Sequence, residues 1–256
     1  MAAQIILFNA SFGLCLAALA CWSAAYVFRK PRLAAAAVWA LGLAWLALSA
    51  GLAVLWAKLG RAPLSNQYES MLALLWFVFP IAFYFHRAAG RTEIMPAAAL
   101  AASLLFGAAA LLDKTAHPLM PALRSDWLIV HVLSSMAAYA AFALAAAAAG
   151  WALAKRQAEA ADEFLLRLTK TGFAFLTLGI ITGSVWADTA WGAWWSWDPK
   201  ETWSLITWLA YAAALHLRKN GVRGFKFAAI LPACFALVLF TYFGVNFLLS
   251  GMHSYG

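Results

Sequence analysis

The chain has 256 residues, 66% of them apolar and only 11% charged, and its mean hydropathy is +0.80. Soluble domains carry about 45–50% apolar and about 25% charged residues, so a water-soluble fold is excluded and a polytopic all-α membrane protein is expected. The net charge of +8 would suggest nucleic acid in a soluble protein; here the basic residues fall in short loops and report topology, with no nucleic-acid partner.

A bilayer-crossing helix needs about 20 apolar residues. Eight stretches qualify, approximately 4–28, 34–57, 69–86, 94–112, 127–153, 171–187, 199–217 and 227–249. The first is not expected to be a cleavable signal, because its basic cluster follows the apolar run. Cys15 and Cys21 in this span and Cys234 in the last are isolated, no CxxC exists, and all three read as small apolar fillers.

The loops after spans one, three, five and seven hold thirteen basic residues, among them Arg29, Lys30, Arg87, Lys155, Arg156, Arg218 and Lys219. The opposite loops hold five: Lys58, Arg61, Lys114, Arg124 and Lys200. The positive-inside rule therefore places both termini on the non-cytoplasmic side. The most hydrophilic stretch, 154–170, reads as a short cytoplasmic interfacial helix. Neither an internal repeat nor a soluble domain is evident, so 1–256 is expected to form one integral membrane domain.

Span five carries His131 about one turn in, after a cap at Ser125 or Asp126, with Ser134, Ser135 and Tyr139 following on one face. Ionisable groups inside a membrane are costly and are functional candidates. Between spans six and seven, seven of the fourteen tryptophans fall within 23 residues. An interfacial anchor explains one or two per helix end. Four of them, Trp191, Trp194, Trp195 and Trp197, are expected to form a flat indole shelf for a large planar ligand. Asp198, Pro199 and Glu201 match a helix start, with Asp198 at the N-cap; a direct ligand contact by Asp198 is the alternative.

His253 lies just beyond span eight, on the same side as His131 and the tryptophans. Zinc would call for a third or fourth ligand, for which His117 is the available neighbour. Haem is flat, largely apolar and accepts imidazoles on both faces, and fits best. His216 lies eighteen residues after Asp198, about 27 Å along a helix, so it belongs to the cytoplasmic boundary. It is either a boundary histidine or a second haem position. His86, beside Arg87, reads as structural.

These residues resemble the CcsA/ResC family of system II cytochrome c biogenesis, in the haem-handling superfamily that includes CcmC and CcmF. The resemblance rests on the "WWD" segment over 183–208, on Ser65-Asn-Gln-Tyr-Glu-Ser70, on His131 with Ser134, Ser135 and Tyr139, and on Gly244-Val-Asn with His253-Ser-Tyr-Gly256. It covers roughly residues 63–256.

What it implies is one half of a holocytochrome c synthetase (haem lyase) in a bacterial cytoplasmic membrane, or a thylakoid membrane. Such a protein works with a CcsB/ResB partner, moves haem b outward as its bound substrate, and presents it to the CxxCH cysteines of apocytochrome c. By position, His131 and His253 match the external haem-iron ligands and His216 a membrane-embedded one, while the segment 186–203 matches the external haem-binding segment. The family's second membrane histidine belongs to the partner. A CcmC-type haem chaperone without attachment activity and a cytochrome b-like electron-transfer subunit are the competing readings.

Overall fold

The computed structural model describes residues 2–90, 94–115 and 118–252, and all the regular structure among them is helical. The helices are α1 (Ala2–Phe28), α2 (Pro31–Leu59), α3 (Gln67–Ala89), α4 (Ile94–Ala110), α5 (Asp126–Ala154), α6 (Ala158–Trp191), α7 (Pro199–Lys219) and α8 (Gly224–Leu248). Within α8 the turn Phe240–Gly244 widens to π geometry.

The eight expected spans thus correspond to α1–α8. Six of them (α1, α2, α3, α5, α6 and α8) are long and apolar enough to cross a membrane. α4 is shorter, at 17 residues, and α7 is more polar, with Thr202, Ser204, Thr207 and Tyr211 along it. The protein is an integral membrane protein.

The sequence-based boundaries need one substantial correction. Residues 158–170 are not a separate interfacial helix but the first turns of α6, a continuous 34-residue helix. The charges that mimic a surface segment are partly consumed inside the protein. Asp162 is buried, forms an ion pair with Arg218 of α7, and accepts the backbone N–H of Gly224 at 2.8 Å. One carboxylate therefore ties together three helices.

The chain forms two compact units, Met1–Ala116 and His117–Gly256. In the first, α1 and α2 make a hairpin joined by two residues. Ser11 Oγ donates to Ala44 O at 2.8 Å across it, and the Phe8 ring lies against Gly51, where a Cβ would come within 2.5 Å. α3 is capped by Asn66, whose side chain accepts from Glu69 N–H. Glu69 in turn pairs with Arg61 and accepts from Ser65 N–H, both at 2.8 Å, so the Ser65–Ser70 motif is a helix-capping device.

In the second unit α5 is the central helix, buried along most of its length. α6 packs along it through glycines. A Cβ on Gly172 would lie 2.5 Å from the Phe142 ring, and one on Gly179 would lie 2.6 Å from Ser135 Oγ. Small residues at such spacing let two membrane helices approach closely. Phe142 also stacks on Tyr211 of α7, with centroids 3.5 Å apart. Cys15 and Cys234 are buried free thiols and Cys21 is half-buried.

Candidate functional site

Of the polar stripe of α5, His131, Ser134 and Ser135 face α6, whereas Tyr139 meets Tyr242 of α8. His131 Nδ1 lies 2.7 Å from the carbonyl oxygen of Gly179, and a Cβ on Gly183 would fall 2.5 Å from that same nitrogen. The gap that holds the imidazole therefore exists only because residue 183 is glycine. A carbonyl oxygen can only accept, so Nδ1 carries the proton and the ring's lone pair is on Nε2. Ser134 satisfies itself on the carbonyls of Val130 and His131, at 2.6 and 3.1 Å. Of the two caps the sequence allows, Ser125 occupies the N-cap position.

The flat face of His131 lies nearly parallel to the indole of Trp186, with centroids 5.9 Å apart and planes 14° from parallel. Trp186 is fully buried and donates from Nε1 to Ala122 O at 2.8 Å. Trp191, the last residue of α6, meets Trp186 at 4.8 Å and 61°. In the sequence Trp186 is only the first of the clustered tryptophans, with no role of its own. The signal for that role was the spacing from Gly179 and Gly183 along one helix.

The tryptophan segment is much less of a loop than 186–203 suggests. α6 runs through Trp191 and α7 starts at Pro199, which leaves only 192–198 between them. Gly192 ends α6 at φ 74°, and Trp197 also adopts a left-handed backbone, at φ 59°. Glu201 holds the turn by accepting Ser196 N–H at 2.8 Å and Asp198 N–H at 3.2 Å. This tight turn overturns the expectation of one flat shelf. Trp195 and Trp197 stand perpendicular, at 5.8 Å and 88°. Trp194 and Trp197 are exposed, while Trp191 and Trp195 are half-buried.

Asp198 is the N-cap of α7 and completes a capping box with Glu201, as the sequence predicts. It is buried, and its second oxygen reaches the backbone N–H of Met252. Beside it, Lys200 Nζ donates to Asn246 Oδ1 at 2.6 Å. Lys200 and Asn246 both fall in sequence motifs, but their pairing, and the approach of Gly251 to Asp198, are not legible locally because the partners lie some fifty residues apart. His253 and His117 lie outside the described residues.

His216 is exposed on α7, two residues before the buried Arg218. It stands apart from the tryptophan segment, near the opposite end of its helix. His86 is half-buried in the last turn of α3, where a basic group favours the helix dipole.

The family model described as cytochrome C assembly protein matches residues 64–253. The chain belongs to that family. Among its relatives, a cytochrome c biogenesis protein CcsA of Chlamydomonas reinhardtii is 39% identical, over 84% of this chain and 67% of its own length. The CcsA of Gloeobacter violaceus is 33% identical over 100% of this chain and 97% of its own. A solved structure titled cytochrome c heme lyase CcmF has the same fold, with a TM-score of 0.69 at 22% identity over 97% of this chain. This chain spans 47% of that protein. The cytochrome c assembly match begins at the Ser65–Ser70 cap and takes in α3–α8, so every candidate site residue falls inside it.

Proposed function

We propose that this cytochrome c biogenesis protein carries haem b to the outer face of its membrane and presents it for thioether attachment to the CxxCH cysteines of apocytochrome c, together with a CcsB/ResB-type partner. One observation carries the reading most directly: His131 is held by Gly179 O through Nδ1, the arrangement that fixes an imidazole for iron ligation through Nε2. His253 supplies the second external imidazole. Trp186 backs the His131 ring, and Trp191, Trp194, Trp195 and Trp197 supply apolar indole surface for the porphyrin. Asp198 belongs to the same haem-binding segment. Because the indoles are not coplanar, they suit gripping a ring by its edges and faces rather than stacking under it.

The chain's own residues bind and orient; thioether formation is an addition of thiol to vinyl that needs placement more than a strong base. An exchangeable protein imidazole lets the substrate's own histidine take its place on the iron. His216 is proposed as a haem ligand near the cytoplasmic boundary. Its exposure fits a site completed by a partner's histidine. The membrane is proposed to be a bacterial cytoplasmic membrane, with both termini on the outer side.

The test is the visible spectrum of the purified protein, with and without its partner. Copurified haem that is lost in His131→Ala and in His253→Ala, and regained with imidazole, is expected. Wild-type protein that never carries haem, even with the partner present, overturns the proposal. Covalent haem on a co-expressed CxxCH substrate separates attachment from simple delivery of the CcmC type.

A further inference from the structure

The described chain ends in a segment held by two polar clamps rather than by apolar packing. Phe247 and Leu248 are 67% and 71% exposed, so neither side chain anchors the segment within this chain. The first clamp is the Lys200 Nζ bond to Asn246 Oδ1 in the last turn of α8, at 2.6 Å. The second is Asp198, whose Oδ1 accepts from Met252 N–H at 2.6 Å while Oδ2 accepts from Lys200 N–H at 3.0 Å. Asp198 is only 6% exposed, so water competes poorly for either bond, and both are strengthened by the carboxylate's charge.

The approach depends on glycine. A Cβ on Gly251 would lie 2.5 Å from Asp198 Oδ1 and 3.0 Å from Pro199 Cδ. The chain therefore passes against the start of α7 with no side chain in between, and the next residue after the clamped amide is His253.

We infer that Asp198 is a positioning residue: through the Met252 N–H it fixes the backbone one peptide short of His253, and so couples the tryptophan segment to the second imidazole. The inference rests on the haem reading above. It gives Asp198 two separable duties, one on each oxygen. The Asp198→Asn substitution keeps a single accepting oxygen; the local cap of α7 retains it, which turns the amide NH2 toward Met252 N–H and opens that clamp. The Gly251→Ala substitution leaves Asp198 and its cap intact and blocks only the approach.

Two measurements on the full chain decide the matter. Hydrogen exchange of the peptide covering 249–256 in haem-free protein should accelerate at least tenfold in both D198N and G251A, with the start of α7 unchanged in G251A. The spectrum of protein carrying copurified haem, or reconstituted with hemin, should shift in both variants toward that of His253→Ala and be restored by imidazole. If neither variant moves exchange or spectrum while His253→Ala loses haem, the positioning role is overturned and the haem reading stands. Faster exchange with an unaltered spectrum also overturns it, because the latch would then hold the chain without placing the ligand. If His253→Ala itself leaves the spectrum unchanged, the assignment of His253 as a ligand fails, and the positioning role with it.

Discussion

At the residue scale, Gly183 is as consequential as His131. Its missing side chain makes the space in which the imidazole sits, 2.5 Å from where a Cβ would be. A contact that close forces the imidazole or the helix to shift, which would pull Nδ1 away from the Gly179 carbonyl. Gly183→Ala is therefore expected to lower haem retention at least tenfold, close to the effect of His131→Ala, while membrane insertion persists. Haem absorbance per mole of purified protein checks this; retention at the wild-type level would show that His131 is free to move and is not held for a ligand. That Gly179 and Gly183, four residues apart on α6, face His131 is a property of the fold that no local pattern carries.

At the element scale, α6 shows what a local reading misses. Residues 158–170, within the hydrophilic stretch 154–170, mix acidic and basic groups and look like a surface segment. They are instead the first turns of one long helix, and part of their charge is satisfied inside the protein by the Asp162–Arg218 ion pair, formed across 56 residues of sequence. Removing one partner of a buried pair leaves an uncompensated charge and costs about 3–5 kcal/mol, whereas replacing both with apolar side chains is often neutral. Asp162→Ala should therefore lower the thermal unfolding midpoint in detergent markedly. Asp162→Ala combined with Arg218→Met should recover much of the loss, except for the bond to Gly224 N–H. No recovery in the double variant would place the cost in that backbone bond rather than in the ion pair.

By contrast, the start of α7 was legible in the sequence. Asp198, Pro199 and Glu201 satisfy each other within one turn, and the structure forms that capping box. The polar face of α5 was legible too, because its periodicity is local. The sharp bend that sets the indoles perpendicular was not legible. It depends on a left-handed Trp197, a conformation that bulky residues rarely adopt and that no pattern announces.

At the scale of the whole molecule, the biased loop charges and the exposed His216 make linked predictions. A periplasmic reporter enzyme fused to the C-terminus should be active, and the same enzyme placed in the 220–223 turn should not. Activity in the opposite places would invert the proposed direction of haem movement. His216→Ala should leave the haem content of the chain alone nearly unchanged but lower it when the CcsB/ResB-type partner is co-expressed, because one exposed imidazole binds haem poorly without a second ligand. Equal losses in both settings would mean that this chain completes the inner site by itself.

The π turn in α8 has a geometric effect on all that follows it. One extra residue in a turn rotates the downstream chain by about 100° relative to an uninterrupted α-helix. Thr241 stabilises the widened turn by donating to the Leu237 carbonyl at 2.8 Å, and its hydroxyl lies 2.9 Å from that of Thr207 on α7. Asn246 comes two residues after this turn, and it reaches Lys200 only with that rotation in place. The bulge thus sets the phase of the chain end, as a single inserted tooth advances a gear. Deleting one residue there would leave a span of nearly the same length whose final turn faces the wrong way.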